Sequence, residues 1–572
     1  GCTSACPIIL SKGSIQTMDQ TMQEKIPAIN QDSTSEEMAH AIFDVLDAKK
    51  AYKLKVLRVN DQTVITDYFV IATGNSNTHV KSLGGEVEYK LSLCGIDPFH
   101  DEGRESDGWV VIDYGHVMVH IFSRDQRDFY QLEKLYGDAE EVIFVAHLYE
   151  GYVKLGANDN ISGSAALIEV ARTLNHLIET GQIERPARSI RFIWIPEFQG
   201  SIPWAQQNKD ILSRTLCNIN LDMVGLWLSK SQSFYCLHRT TMGNPHYLND
   251  VAESFYHYMG ATNKAYVATG VGRPEATKPV YSVTGSRDPF YYSINAHYGA
   301  SDHEVFSDWG VQAPGVIMIT WPDNYYHTSG DRPEICDPTQ LHRAIVLAAA
   351  SAYTIAEADA QDAVKIASEV AANAAKRMSI KMKQDLAALN SATAADFAAL
   401  YKDAKWHQDA MLNNEIATLA TVLELAPASA SLKEFVAAMQ EGVKANWAAN
   451  GKNIDAAMKA KAAALGVAPV KAIVLSAEEK AASKVYPKST AKVLETGYGV
   501  LRTVPRELIA KYGFDQRGAV NHSGEIAKLT TTGTNSILDI QKMLATQFPN
   551  PDSLETITKY VEMLKEAGLV EF

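Results

Sequence analysis

The sequence has few cysteines, no long apolar run and fewer basic than acidic residues. Its six cysteines include no Cys-x-x-Cys pair, so neither a thiolate zinc site nor a disulfide framework is indicated. The apolar runs are too short to cross a membrane. Lysine and arginine number 53 against 67 aspartates and glutamates, a formal net charge of -14, which argues against broad electrostatic affinity for nucleic acid.

The composition is that of a soluble globular protein, with 46% hydrophobic and 21% charged residues. A chain of 572 residues is long enough for several separate cores. Residues 1–34 are polar and rich in Ser, Thr and Gln, which predicts a disordered leader. The start at Gly1-Cys2 would suit a processed lipoprotein, but no export signal precedes it, and Met18 is an equally plausible translation start.

Residues 35–137 predict a small mixed α/β domain. An amphipathic helix begins at Ser35, strand patterns follow, and a hairpin spans Trp109–Phe122. Its polar residues include no nucleophile with a base, no paired metal carboxylates and no phosphate loop. We therefore expect a binding domain without catalytic chemistry.

Residues 141–355 predict an α/β sandwich with a mixed, mostly parallel sheet, because apolar strand-like runs alternate with helical stretches. The first run is Val142–Val145. Residues 356–485 are Ala-rich and helical. Residues 486–572 predict a small helical domain with a winged-helix-like pattern, and we favour a docking role for it because its helices lack a basic face. The fold class is therefore α/β multidomain.

Separated motifs in the first domain carry a family resemblance. They are Thr66–Ser76, Gly108–Gly115, Val119–Phe122 and Arg127–Glu133. Together they resemble the ribosomal silencing factor (Iojap-like) family. The resemblance implies a domain that binds the large ribosomal subunit through a large-subunit protein, blocks joining of the small subunit and so represses translation.

The implied ribosome-binding surface lies around two dipeptides of these motifs, Asp67-Tyr68 and Asp113-Tyr114. Aromatic residues in strands are usually core residues, and His120 between two aliphatic neighbours is also more often core than ligand. Both interpretations of these residues remain open from the sequence.

Five potential metal ligands follow apolar strands in the second domain, where α/β enzymes place their sites. They are His147, Asp159, Glu197, Asp222 and His327. Asp159 comes shortly before a helix that Ser162 could cap. A single aspartate at the end of a strand is usually a cap or a turn residue. Five potential ligands that each follow an apolar strand favour a metal site. Two imidazoles and three carboxylates suit zinc, and a shared carboxylate could bridge two ions.

The residues around these ligands resemble the dinuclear zinc aminopeptidases of metallopeptidase family twenty-eight. The matching motifs are Asn158–Gly163, Asn220–Gly225, Ser301–His303 and Tyr326–Thr328 with Asp331. The resemblance implies hydrolysis of a peptide bond next to a free α-amine, with peptides as substrates and two zinc ions as cofactors. Tyr326 would then steady the oxyanion.

By the same resemblance, His147 and Asp222 would hold one zinc ion. Glu197 and His327 would hold the other, with Asp159 bridging the two. Glu197 is also the candidate catalytic residue.

The chain departs from the family pattern beside two of these ligands. Family members carry adjacent glutamates, base then ligand, whereas Glu197 is followed by Phe198. Glu197 cannot comfortably fill both roles, so Glu150 and Glu304 are alternative candidates for the base. His147 also lacks the aspartate two residues later that would orient its ring, which predicts weaker metal affinity.

The first pattern runs to about residue 137 and the ligand strand begins at Val142, which leaves no room for the leading strands of such a peptidase domain. We expect its N-terminal edge to be missing and the sheet edge to be exposed. The alternatives are an active zinc aminopeptidase with a ribosome-binding module, a silencing factor with an inert hydrolase part, or a chimeric gene or assembly product. A ribosome-binding module predicts a cytoplasmic location.

Overall fold

A computed structural model describes residues 27–60, 65–103, 108–130, 132, 140–148, 155–269 and 279–572. The chain forms two compact units, Gly1–Asp138 and Ala139–Phe572. Most of the predicted leader at 1–34 lies outside the described residues. Within the described part of the chain, no helix combines the length and the apolar character needed to span a membrane.

The first unit is a mixed α/β domain, as predicted. Its helices are α1 (Ser35–Ala48), α2 (Asn77–Ser92) and α3 (Arg124–Tyr130). Its strands are β1 (Tyr52–Arg58), β2 (Tyr68–Thr73), β3 (His100–Glu102), β4 (Trp109–Asp113) and β5 (Val117–Phe122). In the described residues the strand order is β1-β2-β5-β4-β3. Strands β2 and β5 run parallel and the other neighbours run antiparallel.

Local sequence explains how the first unit begins. Thr34 caps α1 through a capping box with Glu37, an arrangement that satisfies two backbone donors at the helix start. The helix then buries Ala39, Ile42 and Leu46 in the core of the unit, at the spacing of one helical face.

The second unit is built on a mixed, mostly parallel sheet, which confirms the predicted fold class. Its strands are β6 (Glu141–His147), β7 (Ser189–Ile195), β8 (Thr215–Leu221), β9 (Phe234–His238), β10 (Tyr292–Asn295) and β11 (Gly315–Trp321). Among the described residues the order is β10-β9-β11-β8-β6-β7. Strands β9 and β11 run antiparallel, whereas the other neighbours run parallel.

Strands β6 and β8 are buried at every position, as expected for the centre of a parallel sheet. Strand β7 is the last strand of the sheet in the described residues and is mostly half-buried. That this domain lacks the leading strands of a peptidase of this type stays a prediction.

Helices flank this sheet and the turn Ala157–Ser162 leads into the first of them. They are α4 (Gly163–Glu179), α5 (Ser201–Gln207), α6 (Lys209–Leu212), α7 (Leu228–Ser231), α8 (Leu248–Thr269), α9 (His303–Phe306) and α10 (Pro338–Glu357). The longer helices pack on the sheet in one large apolar cluster, the arrangement of an α/β sandwich.

The rest of the second unit is helical, as predicted. Three long helices come first: α11 (Ala360–Ser391), α12 (Phe397–Thr421) and α13 (Ala430–Leu465). Shorter helices follow: α14 (Ala477–Ala482), α15 (Ala491–Thr496), α16 (Arg506–Lys511), α17 (Ser523–Leu529), α18 (Ile537–Gln547) and α19 (Leu554–Glu566). Strands β12 (Lys488–Ser489) and β13 (Val570–Glu571) pair antiparallel. The short helices enclose an apolar cluster that also takes in Trp309 and Trp406.

A buried ion-pair group joins the long helices to the sheet layer. Arg377 on α11 contacts Asp250 on α8 and Glu415 on α12, each at 2.5 Å. Both carboxylate side chains are 0% exposed. Because charges buried at this depth require partners, Arg377 holds these three helices together.

Candidate metal centre

Three of the predicted ligands converge at the ends of β6 and β8. His147 Nε2 lies 3.2 Å from Asp222 Oδ1 and 3.5 Å from Asp159 Oδ1. One ligand atom from each of the three residues falls within 4.8 Å of the others, and all three residues are buried. These three residues could hold a metal ion.

The fourth ligand approaches the same aspartate from the other side. His327 Nε2, in the loop after β11, lies 3.2 Å from Asp159 Oδ2. The two oxygens of Asp159 therefore face two different imidazoles, one at His147 and one at His327. That Asp159 bridges two ions stays a prediction.

A cavity of about 350 Å³ opens beside these residues. Its polar lining includes Asp159, Glu197, Asp222, Tyr326 and His327. The volume lies at the lower end of the range for small-molecule sites. Four of the five predicted ligands thus share one cavity with the predicted oxyanion residue, and the fifth contacts two of them.

The charge at the centre is strongly negative. Burial would lower the pKa of His147, but the carboxylates of Asp222, Glu197 and Asp159 outweigh it and raise that pKa to about 10. A site that holds a proton this tightly favours positive charge in general. The electrostatics therefore suit a divalent cation.

The turn that carries Asp159 is held by its neighbour Asn160. The side-chain oxygen of Asn160 accepts hydrogen bonds from the backbone N–H groups of Gly163 and Met223, each at 3.0 Å. Its amide group donates to the carbonyl of Leu221 at 2.9 Å. A Cβ on Gly163 would come within 2.2 Å of that carbonyl, so the close approach requires glycine.

Asn158 and Asp331 fix the other side of the turn. Asn158 donates to Asp323 at 3.0 Å and accepts from the backbone N–H of Gly225 at 3.0 Å. The carboxylate of Asp331 accepts from the backbone N–H groups of Asn158 and Asp159 at 2.6 and 3.0 Å. These bonds leave the Asp159 side chain to point at the imidazoles, so the motif residues act as supports.

Ser162 does not cap α4, so that expectation is wrong. Its hydroxyl instead donates to the carbonyl of Asn158 at 2.6 Å and accepts from the backbone N–H of Val224 at 2.9 Å. The helix-start N–H of Gly163 is satisfied by Asn160. Ser162 thus ties the turn to the segment after β8.

Glu197 and Phe198 form a tight turn after β7. Phe198 has a positive φ of 48°, and its ring packs with the apolar cluster that contains Val305 and Phe306. Its backbone N–H donates to Asp302 Oδ1 at 2.9 Å, and the same oxygen accepts from the Ser201 hydroxyl at 2.6 Å. The position after Glu197 therefore holds a partly buried apolar side chain packed against this cluster, and Asp302 positions the turn.

Glu150 and Glu304 were the alternative candidates for the catalytic base. Glu150 lies outside the described residues. Glu304, on α9, is exposed and is not among the described residues that line the cavity. Glu197 is the glutamate that the structure places in the cavity wall.

Tyr326 lines the cavity and contacts two other aromatic rings. Its ring lies 3.7 Å from the ring of His327 and meets Trp321 edge-on at 5.5 Å. The Tyr326 side chain is 41% exposed. These contacts hold an accessible hydroxyl-bearing ring beside the candidate ligands.

Sequence reasoning missed several residues of the cavity, above all His238 at the end of β9 and Tyr298 in the loop after β10. Neither strand was predicted. A histidine at the end of the run Phe234–His238 repeats the pattern that identified His147, and this signal would have found it.

In the first unit, the predicted ribosome-binding residues lie around one hairpin turn. Asp113 ends β4 and accepts from the backbone N–H of Gly115 at 2.7 Å. Asp67 contacts His116 of the same turn at 3.1 Å, and Tyr68 is half-buried.

Two of the motif residues instead belong to the core. Tyr114 is 4% exposed and lies in the main apolar cluster, so its ring adds little to a surface. His120 is 5% exposed, as its core interpretation expected. Sequence reasoning missed Phe99, which is 80% exposed beside the turn at Gly115.

Comparison with known proteins matches a family model to each of two stretches of the chain. The family model described as ribosomal silencing factor during starvation matches residues 32–164. A ribosomal silencing factor from Halalkalibacterium halodurans is 37% identical over 109 residues, which are 19% of this chain and 93% of that protein. The chain belongs to the ribosomal silencing factor family. A mouse relative of this family, named mitochondrial assembly of ribosomal large subunit protein 1, is 32% identical over 17% of this chain and 43% of that protein.

The model of peptidase family M28 matches residues 132–352 of this silencing-factor family member. Among solved structures, a zinc aminopeptidase from Bacillus subtilis shares 16% identity and a TM-score of 0.29, over 59% of this chain and 93% of that chain. A protein from Chromobacterium violaceum shares 33% identity and a TM-score of 0.18, over 18% of this chain and 88% of that chain.

Proposed function

We propose that the chain joins a ribosome-silencing module to a zinc-dependent aminopeptidase that removes N-terminal residues from peptides. The observation that carries the second activity is the Asp159 carboxylate. One of its oxygens faces His147 and the other faces His327, at the edge of a cavity.

The donor set fits zinc. Imidazole nitrogen and carboxylate oxygen are ordinary zinc ligands, and the raised pKa of His147 reflects an excess of negative charge that a cation would offset. We assign the tighter ion to His147, Asp159 and Asp222. Asp159 and His327 would hold a second ion, which leaves Glu197 for the role of general base.

When bound, zinc polarises the scissile carbonyl and acidifies a water molecule. The residues of this chain supply the rest. Glu197 takes the proton from the water and passes it to the leaving amine. Tyr326 donates a hydrogen bond to the carbonyl oxygen as negative charge develops there.

Zinc content and hydrolysis of aminoacyl anilides test the proposal in the full chain. We expect two zinc ions per chain, of unequal affinity. Asp159→Asn, which removes the shared charge, should lower both zinc content and turnover. Glu197→Gln should lower turnover by roughly 10²- to 10⁴-fold, the usual contribution of a general base.

The matched control is Glu304→Gln, an equally conservative change at an exposed glutamate outside the cavity lining. It should retain turnover. If Glu197→Gln removes one zinc ion, then Glu197 is primarily a ligand. Zinc-loaded protein without any turnover would mean an inert hydrolase part and would leave silencing as the function.

For the first unit, we propose binding to the large ribosomal subunit through a protein of that subunit, which would block subunit joining in the cytoplasm. The surface would comprise Asp67, Tyr68 and Asp113 with the exposed ring of Phe99. Exposed aromatic side chains ringed by polar residues are common energetic centres of interfaces.

Co-sedimentation of the full chain with purified large subunits tests this surface. Phe99→Asp should weaken binding by at least about tenfold, since hot-spot residues exceed 1 to 2 kcal/mol. Tyr89→Asp changes another exposed aromatic residue, on α2, and should bind like the wild type. Equal binding of both variants would remove Phe99 from the surface.

A further inference from the structure

One wall of the cavity is apolar and comes mainly from β11. Ile317, Ile319 and Trp321 all line the cavity, and alternate residues of a strand share one face. Met223 adds a fourth apolar side chain. A wall of this kind suits a large apolar side chain rather than a small or charged one.

The end of the cavity on β9 is polar but uncharged. His238 pairs with Ile317 across β9 and β11 and lines the same cavity. Its Nδ1 lies 3.0 Å from the carbonyl oxygen of Ala296. A carbonyl only accepts, so Nδ1 carries the proton and Nε2 keeps a lone pair that can accept a hydrogen bond.

Two further imidazoles fasten the loop that follows β10 to this end of the cavity. His297 Nδ1 contacts the carbonyl of Arg239 at 3.2 Å, and His303 Nε2 contacts the carbonyl of Tyr298 at 2.9 Å. Burial lowers the pKa of His238, His297 and His303, so all three rings are neutral near pH 7. The end of the cavity is therefore built in advance of any ligand.

The distance between the carboxylates beside β8 and His238 on β9 suits an aromatic ring. Strand order places β9 two strands away from β8, whose end carries Asp222. Two strand spacings are roughly 10 Å, which leaves room for a long side chain between the carboxylates and His238. The described lining includes no lysine or arginine, so an acidic side chain on the apolar wall would lose its hydration without gaining a cationic partner.

We infer that the cavity selects an N-terminal residue with a large aromatic side chain that carries a hydrogen-bond donor, tyrosine or tryptophan, with His238 Nε2 as the acceptor. The inference rests on the proposed aminopeptidase function and names its substrate class. His238 would be a specificity-determining residue.

Anilides of tyrosine, phenylalanine and glutamate test the inference with the zinc-loaded full chain. The tyrosine anilide should exceed the phenylalanine anilide in kcat/KM by about fivefold, the worth of one net hydrogen bond. The glutamate anilide should be the poorest substrate. His238→Leu should bring the tyrosine to phenylalanine ratio to about one, and His238→Gln, which keeps an acceptor, should restore part of it.

Calorimetric binding of tyrosinamide and phenylalaninamide separates this inference from the proposed function. Discrimination in binding without turnover would support the cavity assignment while the peptidase proposal fails. Turnover with equal kcat/KM for tyrosine and phenylalanine in the wild type would overturn the inference and leave the peptidase intact. That wild-type comparison does not depend on the folding of any variant.

Discussion

Two buried histidines, one in each unit, have opposite electrostatics. His120 in β5 lies among aromatic rings, 4.9 Å from Phe69 and 6.0 Å from Trp109. Burial and the charge of Arg127 lower its pKa to about 3, whereas neighbouring carboxylates raise the pKa of His147 to about 10. Burial is common to both residues, so the carboxylates are what mark a candidate ligand.

The strongest test of this contrast is to remove the imidazole from the centre. His147→Leu should lower zinc affinity and anilide turnover by at least about 100-fold, since even changes behind the ligands of a metal site cost 10- to 100-fold. Zinc content by atomic absorption and initial rates measure the effect. Wild-type zinc content in this variant would contradict the assignment of the tighter ion.

Asp302 tests whether a carboxylate outside the cavity lining also matters for the centre, because it holds the turn that carries Glu197. Asp302→Ala should lower kcat by roughly 10- to 100-fold, because it frees the backbone N–H of Phe198 and lets Glu197 shift. Asp302→Asn keeps an acceptor oxygen and should lose much less. Equal losses in both variants would mean that the charge of Asp302 matters rather than its hydrogen bonds.

Acid should lower the stability of the first unit through His120. His120 is neutral in the folded state but binds a proton in the unfolded chain below its ordinary pKa of 6.5. Its contribution to stability is thus complete above that pH and is lost as the pH falls toward 3. From pH 7 to pH 5 the free energy of unfolding of the first unit should fall by about 2 kcal/mol. Hydrogen exchange of the β4 and β5 amides measures it, with His120→Leu as the variant that lacks this slope.

The smallest expected effect is that of His120→Leu at pH 7. Neither ring nitrogen of His120 has a hydrogen-bond partner within the described part of the chain. An unpaired buried polar group costs on the order of 1 kcal/mol, so leucine should keep or raise the free energy of unfolding by about that amount. A large loss of exchange protection in β5 would show that a hydrogen bond to the His120 ring stabilises the unit.

Much of the second unit was predictable because its central strands are continuous apolar runs. Strands β6, β8 and β11 and the ligands near their ends follow from that pattern. Strands β9 and β10 were missed because they are short, poor in β-branched residues and stabilised by their pairing in the sheet. His238 was therefore missed with β9.

Other features depend on contacts between distant residues. The bond from Phe198 to Asp302 joins positions 104 residues apart, and no local pattern indicates it. The family resemblance put Tyr114 near the implied surface and left a core position open, and the structure buries its ring beside the turn at Gly115, which has a φ of 81°. Local sequence predicts the turn but not which side of the sheet receives the ring.

Arg377 has a consequence for how this protein can be divided. A truncation between α10 and α11 would remove Arg377, the cation of Asp250, and would expose the apolar face of α8 on which α11 packs. The first unit is compact by itself, whereas the sheet layer of the second unit shares one apolar cluster with the long helices. We therefore expect the sheet layer and the long helices to fold only together.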